Sequence, residues 1–200
     1  GKAWSLIEVD ITRGNLNPLP LAVSPLSVDQ NSKEKFKDLL KLEDIGVEIS
    51  KVVENNLRQS GLFNPLDPKA FLQKPDIAHV KPRFEDWALI KAQALITGEV
   101  KIVDEKLRVE FRLWDVLAGK EIMALAFTTV SENWRRVGHI ITDKVYQRLT
   151  GEKGYFDTRI IYVAEEGLKT SRIKKLAIMD QDGFNTCLLY TSPSPRDTEV

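Results

Sequence analysis

The sequence predicts an α/β fold, a mixed-sheet sandwich with helices on one face, followed by a separate short hairpin. Three observations carry this. Ile45, Ile49, Val52, Val53 and Leu57 recur at three- and four-residue spacing, the stripe of an amphipathic helix. Leu107, Val109, Phe111 and Leu113 alternate with Arg108, Glu110 and Arg112, which makes a strand with one buried and one wet face. A second helical stripe, Trp134, Val137, Ile141 and Val145, runs on to Thr150-Gly151. Both periods converge on one core across residues 6–151.

Taken in order, Leu6 to Ile11 alternates apolar and polar residues and reads as a strand stopped by Gly14 and Asn15. Residues 19–23 form a second extended run bracketed by Pro18, Pro20 and Pro25, prolines that demote it from a central strand over its whole length. Residues 28–41 are polar and lysine-rich and read as a mobile loop. Residues 44–60 form the first helix, with Gly61 at its stop. Residues 63–68 lead out as extended chain and 74–82 form a loop. Residues 84–91 form a short helix with Trp87 and Ile90 inward. Residues 94–103, 107–114 and 121–130 form an antiparallel meander, turned by Asp104-Glu105 and Ala118-Gly119. Ser131 is placed to N-cap the helix that ends at Leu149. Residues 159–164 and 173–179 read as the second hairpin, a unit that is marginal alone in water.

Composition narrows the function. A chain of 200 residues allows one or two domains and a sizeable core. Lys+Arg and Asp+Glu are both 29, so no basic field draws in nucleic acid. The one cysteine, Cys187, lies close to the end, which leaves no disulfide framework and no thiol nucleophile elsewhere. No apolar run reaches the ~18 residues of a membrane span, so direct membrane insertion is not expected.

The chemistry-bearing residues are sparse. His79 and His139 are far apart and lack partners at metal-ligand spacing, so structural or surface roles are expected, with no metal and no cofactor. No Gly-x-Ser-x-Gly, phosphate loop or His-Glu-x-x-His occurs, and no catalytic residue is assigned. Arg135, Arg136 and Arg148 give the last helix a basic stripe, read as a solvated face or a brace at a domain interface. The terminal run has the best physical case for binding, because a strand at a chain end can leave one sheet and extend another. An ordinary edge strand that never leaves remains open on the residues alone.

Several ordered segments carry a family resemblance. They are Asn55-Asn56-Leu57-Arg58-Gln59-Ser60-Gly61, Trp87, Gly98-Glu99-Val100, Trp114-Asp115, Asn133-Trp134-Arg135-Arg136-Val137-Gly138-His139 and Gly154-Tyr155-Phe156-Asp157. Together with Met179-Asp180-Gln181-Asp182-Gly183, this set resembles the TolB family of the Tol–Pal envelope system over roughly residues 6–185. The resemblance implies a periplasmic, non-enzymatic, monomeric protein. It would link the lipoprotein Pal to the inner-membrane protein TolA, in support of outer-membrane constriction during division. It further implies that Leu6, Ile7, Glu8, Val9, Asp10, Ile11, Thr12 and Arg13 form the epitope for the TolA C-terminal domain, and that Pal binds mainly through a propeller. The division expected is 1–5 as a signal-peptide remnant, since Ala3 and Ser5 suit a cleavage site, and 6–151 as the α/β domain. It continues with 152–158 as linker and 159–185 as the first hairpin of a truncated β-propeller. Residues 187–197 resemble a translated sequencing-library adapter, so 186–200 are expected to carry no native fold. The rival function is the front end of a propeller-gated serine peptidase, whose Gly-x-Ser-x-Gly elbow would follow the propeller.

Overall fold

A computed structural model of the chain describes residues 7–12, 17–166, 173–180 and 187–193. It divides into two units, Gly1–Gly154 and Tyr155–Val200. The first is built on the meander β4 (Ala94–Val103), β5 (Lys106–Asp115) and β6 (Lys120–Val130). Its register sets Gly98 opposite Phe111 and Phe111 opposite Leu125. The first turn is tight because Asp104 and Glu105 both take left-handed backbone, φ 49° and 62°.

The sheet order is β3-β1-β4-β5-β6. β1 (Leu19–Val23) lies between β3 (Phe63–Pro65) and β4 and is parallel to both. This corrects the expectation that prolines keep residues 19–23 out of the sheet centre. Pairing with β3 covers Leu19 to Leu21 and pairing with β4 covers Leu21 to Val23, so Pro20 falls outside the β4 ladder. Its carbonyl still accepts from the Gln93 N–H at 2.9 Å. The two-residue β2 (Ser27–Val28) pairs parallel with β4 at Glu99 and Val100.

Residues 28–41, expected to be a mobile loop, instead hold α1 (Gln30–Leu40). Asp29 caps it, accepting from the Ser32 N–H and hydroxyl at 2.8 Å each, and Phe36 anchors it in the core with no exposure. The lysines lie on its outer side, and a single aromatic anchor gives too weak a period to detect. The expected loop at 74–82 likewise contains a short helix, α3 (Pro75–Val80), begun by a proline at its first position.

α2 (Ile45–Gln59) and α5 (Trp134–Thr150) form the main helical layer, and their five and four predicted core positions are buried save Trp134, which is half-buried. Asp44 caps α2 through the Val47 N–H. α5 is preceded by a 3-10 turn, Ser131–Asn133, and the Ser131 hydroxyl donates to the Glu105 carbonyl at 3.3 Å instead of capping the helix. Gly138 brings the two helices close: a Cβ there would sit 2.6 Å from Val52 Cγ1. The opposite sheet face carries a smaller apolar cluster. Leu95, Trp114 and Ala22 alternate with Ile96, Leu113 and Leu21 and pack with Trp87 of α4 (Phe84–Leu89) and Ala78 of α3.

The second unit is an antiparallel sheet in the order β7 (Arg159–Glu166), β8 (Ile173–Asp180), β9 (Cys187–Pro193). The expected hairpin is β7–β8. β9 falls in the stretch expected to carry no native fold, and it adds a third strand along β8.

Candidate protein-docking site

The terminal segment is the residue set that sequence singled out for binding. Ile7, Glu8, Val9, Asp10, Ile11 and Thr12 are described; Leu6 and Arg13 lie outside the described residues. No β-strand forms over Ile7 to Thr12, which corrects the expected strand. The reason is visible in the partners. The Ile7 N–H donates to Asp115 Oδ2 at 3.2 Å, and the Val9 N–H donates to the Leu149 carbonyl at 2.7 Å. One acceptor is a side chain and the other a helix-terminal carbonyl, so no strand edge is offered. The Asp10 carboxylate then takes the Thr12 N–H at 2.9 Å and the Thr12 hydroxyl at 2.6 Å, closing a local turn that competes with extension.

Each anchor is set by the fold. Asp115 ends β5, is 1% exposed, and also accepts the Ala118 N–H at 2.9 Å, so its carboxylate is fixed before the segment arrives. Leu149 lies in the last turn of α5, whose final carbonyls have no partner within the helix. The segment therefore docks by main-chain donors while Glu8, Asp10, Ile11 and Thr12 stay exposed. Sequence could not find these anchors. Asp115 showed only as part of a motif, and a carbonyl partner leaves no trace in residue type.

The histidines are internal. His79 belongs to α3, not to a loop, and is 3% exposed. Its Nδ1 pairs with Thr97 Oγ1 at 3.1 Å and its Nε2 faces Glu110 at 3.4 Å. Trp114 Nε1–H donates to the same Thr97 oxygen, and Arg112 donates to the His79 carbonyl at 2.8 Å and to Glu110 at 3.1 Å. Burial, then the Arg112 guanidinium, holds the His79 pKa below its ordinary 6.5 despite Glu110. The imidazole is thus neutral and braces α3 on the sheet. His139 of α5 receives the Asn56 amide on Nδ1 at 2.9 Å, and Asn56 also reaches Thr142 at 3.3 Å, which ties α2 to α5. Among the described residues no group of three or more His, Cys, Asp or Glu is placed to hold a metal. No helix of the described residues is long and apolar enough to cross a membrane.

Fold and site together define an α/β domain that holds the segment Ile7 to Thr12 against Asp115 at the end of β5 and Leu149 in the last turn of α5. The model of the TolB amino-terminal domain matches residues 7–122, and the chain belongs to that family. It is 83% identical over 184 residues to the Tol-Pal system protein TolB of Pelagibacter ubique (strain HTCC1062), a match covering 92% of this chain and 41% of the relative. The chain thus spans well under half the length of that curated protein. The crystal structure of TolB from Acinetobacter baumannii superposes with a TM-score of 0.71 at 21% identity, covering 94% of this chain and 41% of the other, which establishes the shared fold.

Proposed function

We propose that this chain serves the Tol–Pal system as a periplasmic, non-enzymatic protein-binding component. Leu6 to Arg13 would form the docking strand for the TolA C-terminal domain, and Pal would be held mainly by propeller blades. The name of the 83% identical relative supports the system. The observation that carries the docking role is the tether of Ile7 and Val9: two main-chain bonds to the body and most side chains left outside. Such a segment is bound firmly enough to be kept and weakly enough to be given up. Added to a partner sheet, its N–H and C=O groups would supply register, and alternate side chains specificity. The docked and partner-bound forms then compete.

Calorimetry with the TolA C-terminal domain tests this on the full chain. Removing residues 6–13 should abolish binding, on the order of micromolar in the intact chain, and leave the melting curve in place. Asp115→Asn keeps its oxygen as the acceptor for Ala118 and turns its NH2 group, which cannot accept, toward the Ile7 N–H, so the bond to Ile7 is lost. That loss of roughly 1 kcal/mol should tighten TolA binding up to about fivefold by releasing the segment. Undiminished binding after the deletion refutes the epitope. Weaker binding of Asp115→Asn refutes the competition.

A further inference from the structure

The two edges of the main sheet are unlike. β3 is three residues long and ends in Pro65, a protected edge. β6 is eleven residues long and, among the described residues, pairs on one side only, with β5. From Ile122 to Val130 it reads Ile-Met-Ala-Leu-Ala-Phe-Thr-Thr-Val, with no charge, proline or glycine to discourage pairing. Its unpaired N–H and C=O groups run for roughly 30 Å.

The apolar face stops short along this strand. Met123, Leu125 and Phe127 stand opposite Leu113, Phe111 and Val109, all three of which have no exposure. Leu125, beside them, is 39% exposed; Val130, on the other face at the strand end and opposite Lys106, is 48% exposed. The helical layer therefore covers β5 and leaves its neighbour half open.

At the C-terminal end of β6 an open groove of about 630 Å³ lies between α1 and the β4–β5 turn. Leu39, Ile102 and Val130 give it an apolar floor. Asp38, Asp104, Glu105 and Glu132 rim it, against one cation, Lys35. Among the described residues none of the four carboxylates makes an ion pair, and Lys33 and Lys37 of α1 pair with Asp44 and Glu43 instead. The charge selects a basic occupant, and the open edge selects an extended one.

We propose that the free edge of β6 and the acidic groove at its end together bind an extended segment of another protein, apolar at alternate positions and basic at the end that enters the groove. The strand would continue the sheet, its apolar side chains covering Leu125 on the core-facing side, and its terminal Lys or Arg would meet Glu105 and Glu132. The site is separate from the terminal docking segment, whose anchors are Asp115 and Leu149, so either can fail without the other.

The probe is a synthetic peptide of about ten residues that alternates valine with threonine and ends in two lysines, compared with its twin ending in two glutamates. Amide hydrogen exchange on the full chain should show protection of 122–130 by the lysine peptide. Fluorescence anisotropy should show on the order of tenfold weaker binding of the glutamate twin. Leu125→Lys, an inward charge on an edge strand, should remove the protection, and Leu125→Ile should keep it. The surface pair Glu105→Lys with Glu132→Lys, which leaves the core untouched, should erase the difference between the peptides. No protection of 122–130, or equal binding of both peptides to the parent chain, overturns the proposal. So does a concentration-dependent dimer in sedimentation that Leu125→Lys abolishes, because the edge would then belong to a second copy.

Discussion

Gly138→Ala sets helix propensity directly against packing. Alanine in the middle of α5 should gain about 1 kcal/mol over glycine from propensity alone. The structure reverses the sign. The added Cβ would lie 2.6 Å from Val52 Cγ1, 2.7 Å from Val52 Cβ and 3.4 Å from the Ile49 carbonyl oxygen. Carbon atoms rest at about 3.5–4.0 Å, so α2 and α5 must part by roughly 1 Å. Val52 cannot rotate away, since a β-branched side chain on a helix has one preferred rotamer and its Cβ is itself in the clash. Parting the helices also stretches the buried Asn56 bonds to His139 and Thr142. Overpacking of this kind costs about 1–3 kcal/mol, more where polar bonds stretch with it, so the net loss should be roughly 1–2 kcal/mol. Urea unfolding followed by tryptophan fluorescence reads the first unit alone, because Trp4, Trp87, Trp114 and Trp134 all precede residue 154. The midpoint should fall with the slope unchanged. With Val52→Ala in the same chain the penalty should shrink, a coupling of about 0.5 kcal/mol or more. A gain of about 1 kcal/mol from Gly138→Ala would mean that the helices do not approach as described.

Two further perturbations follow from the same contacts. Asp29→Ala removes the cap of α1 and leaves the Ser32 N–H and hydroxyl without their acceptor; a loss of about 1 kcal/mol is expected, with faster amide exchange confined to the first turn of the helix. His79 is neutral in the fold because its pKa is held below 6.5, so the unfolded chain binds more protons near that pH. Its contribution is then complete above pH 6.5 and declines as pH drops through 6.5 towards the folded value; thermal melts should show a shallower acid-side loss for His79→Gln than for the parent chain, and parallel curves would rule out His79 as the titrating group.

Long periodic elements were legible in the sequence. α2, α5 and the three-stranded meander each carry enough apolar positions at one spacing to override local noise, and Gly61 and Gly151 take the left-handed conformations that end helices, at φ 75° and 78°. What failed was short or held from outside. α1 depends on Phe36 and a side-chain cap amid lysines, and α3 is only six residues long. The central place of β1 is imposed by its neighbours against the bias of its prolines. The terminal segment alternates like a strand, yet its nearest acceptors are a carboxylate and a helix-end carbonyl, and Asp10 holds a turn. Alternation records which residues could share a face, not whether an edge is present to receive them.

The place of β1 also sets the order in which the sheet can assemble. β4, β5 and β6 meet through tight turns and can pair on the microsecond scale of hairpins. β1 can reach β4 only after α1 to α4 have been folded back, since all four lie between Leu21 and Ala94. The entropy of closing that long loop is not offset by any local contact, which makes this pairing slow. β3 waits on the same event, because it joins the sheet through β1. We expect the first strand in the sheet by sequence to be the last one sealed. Until then the chain carries an open apolar strand, a kinetic exposure that favours misassembly between nascent copies.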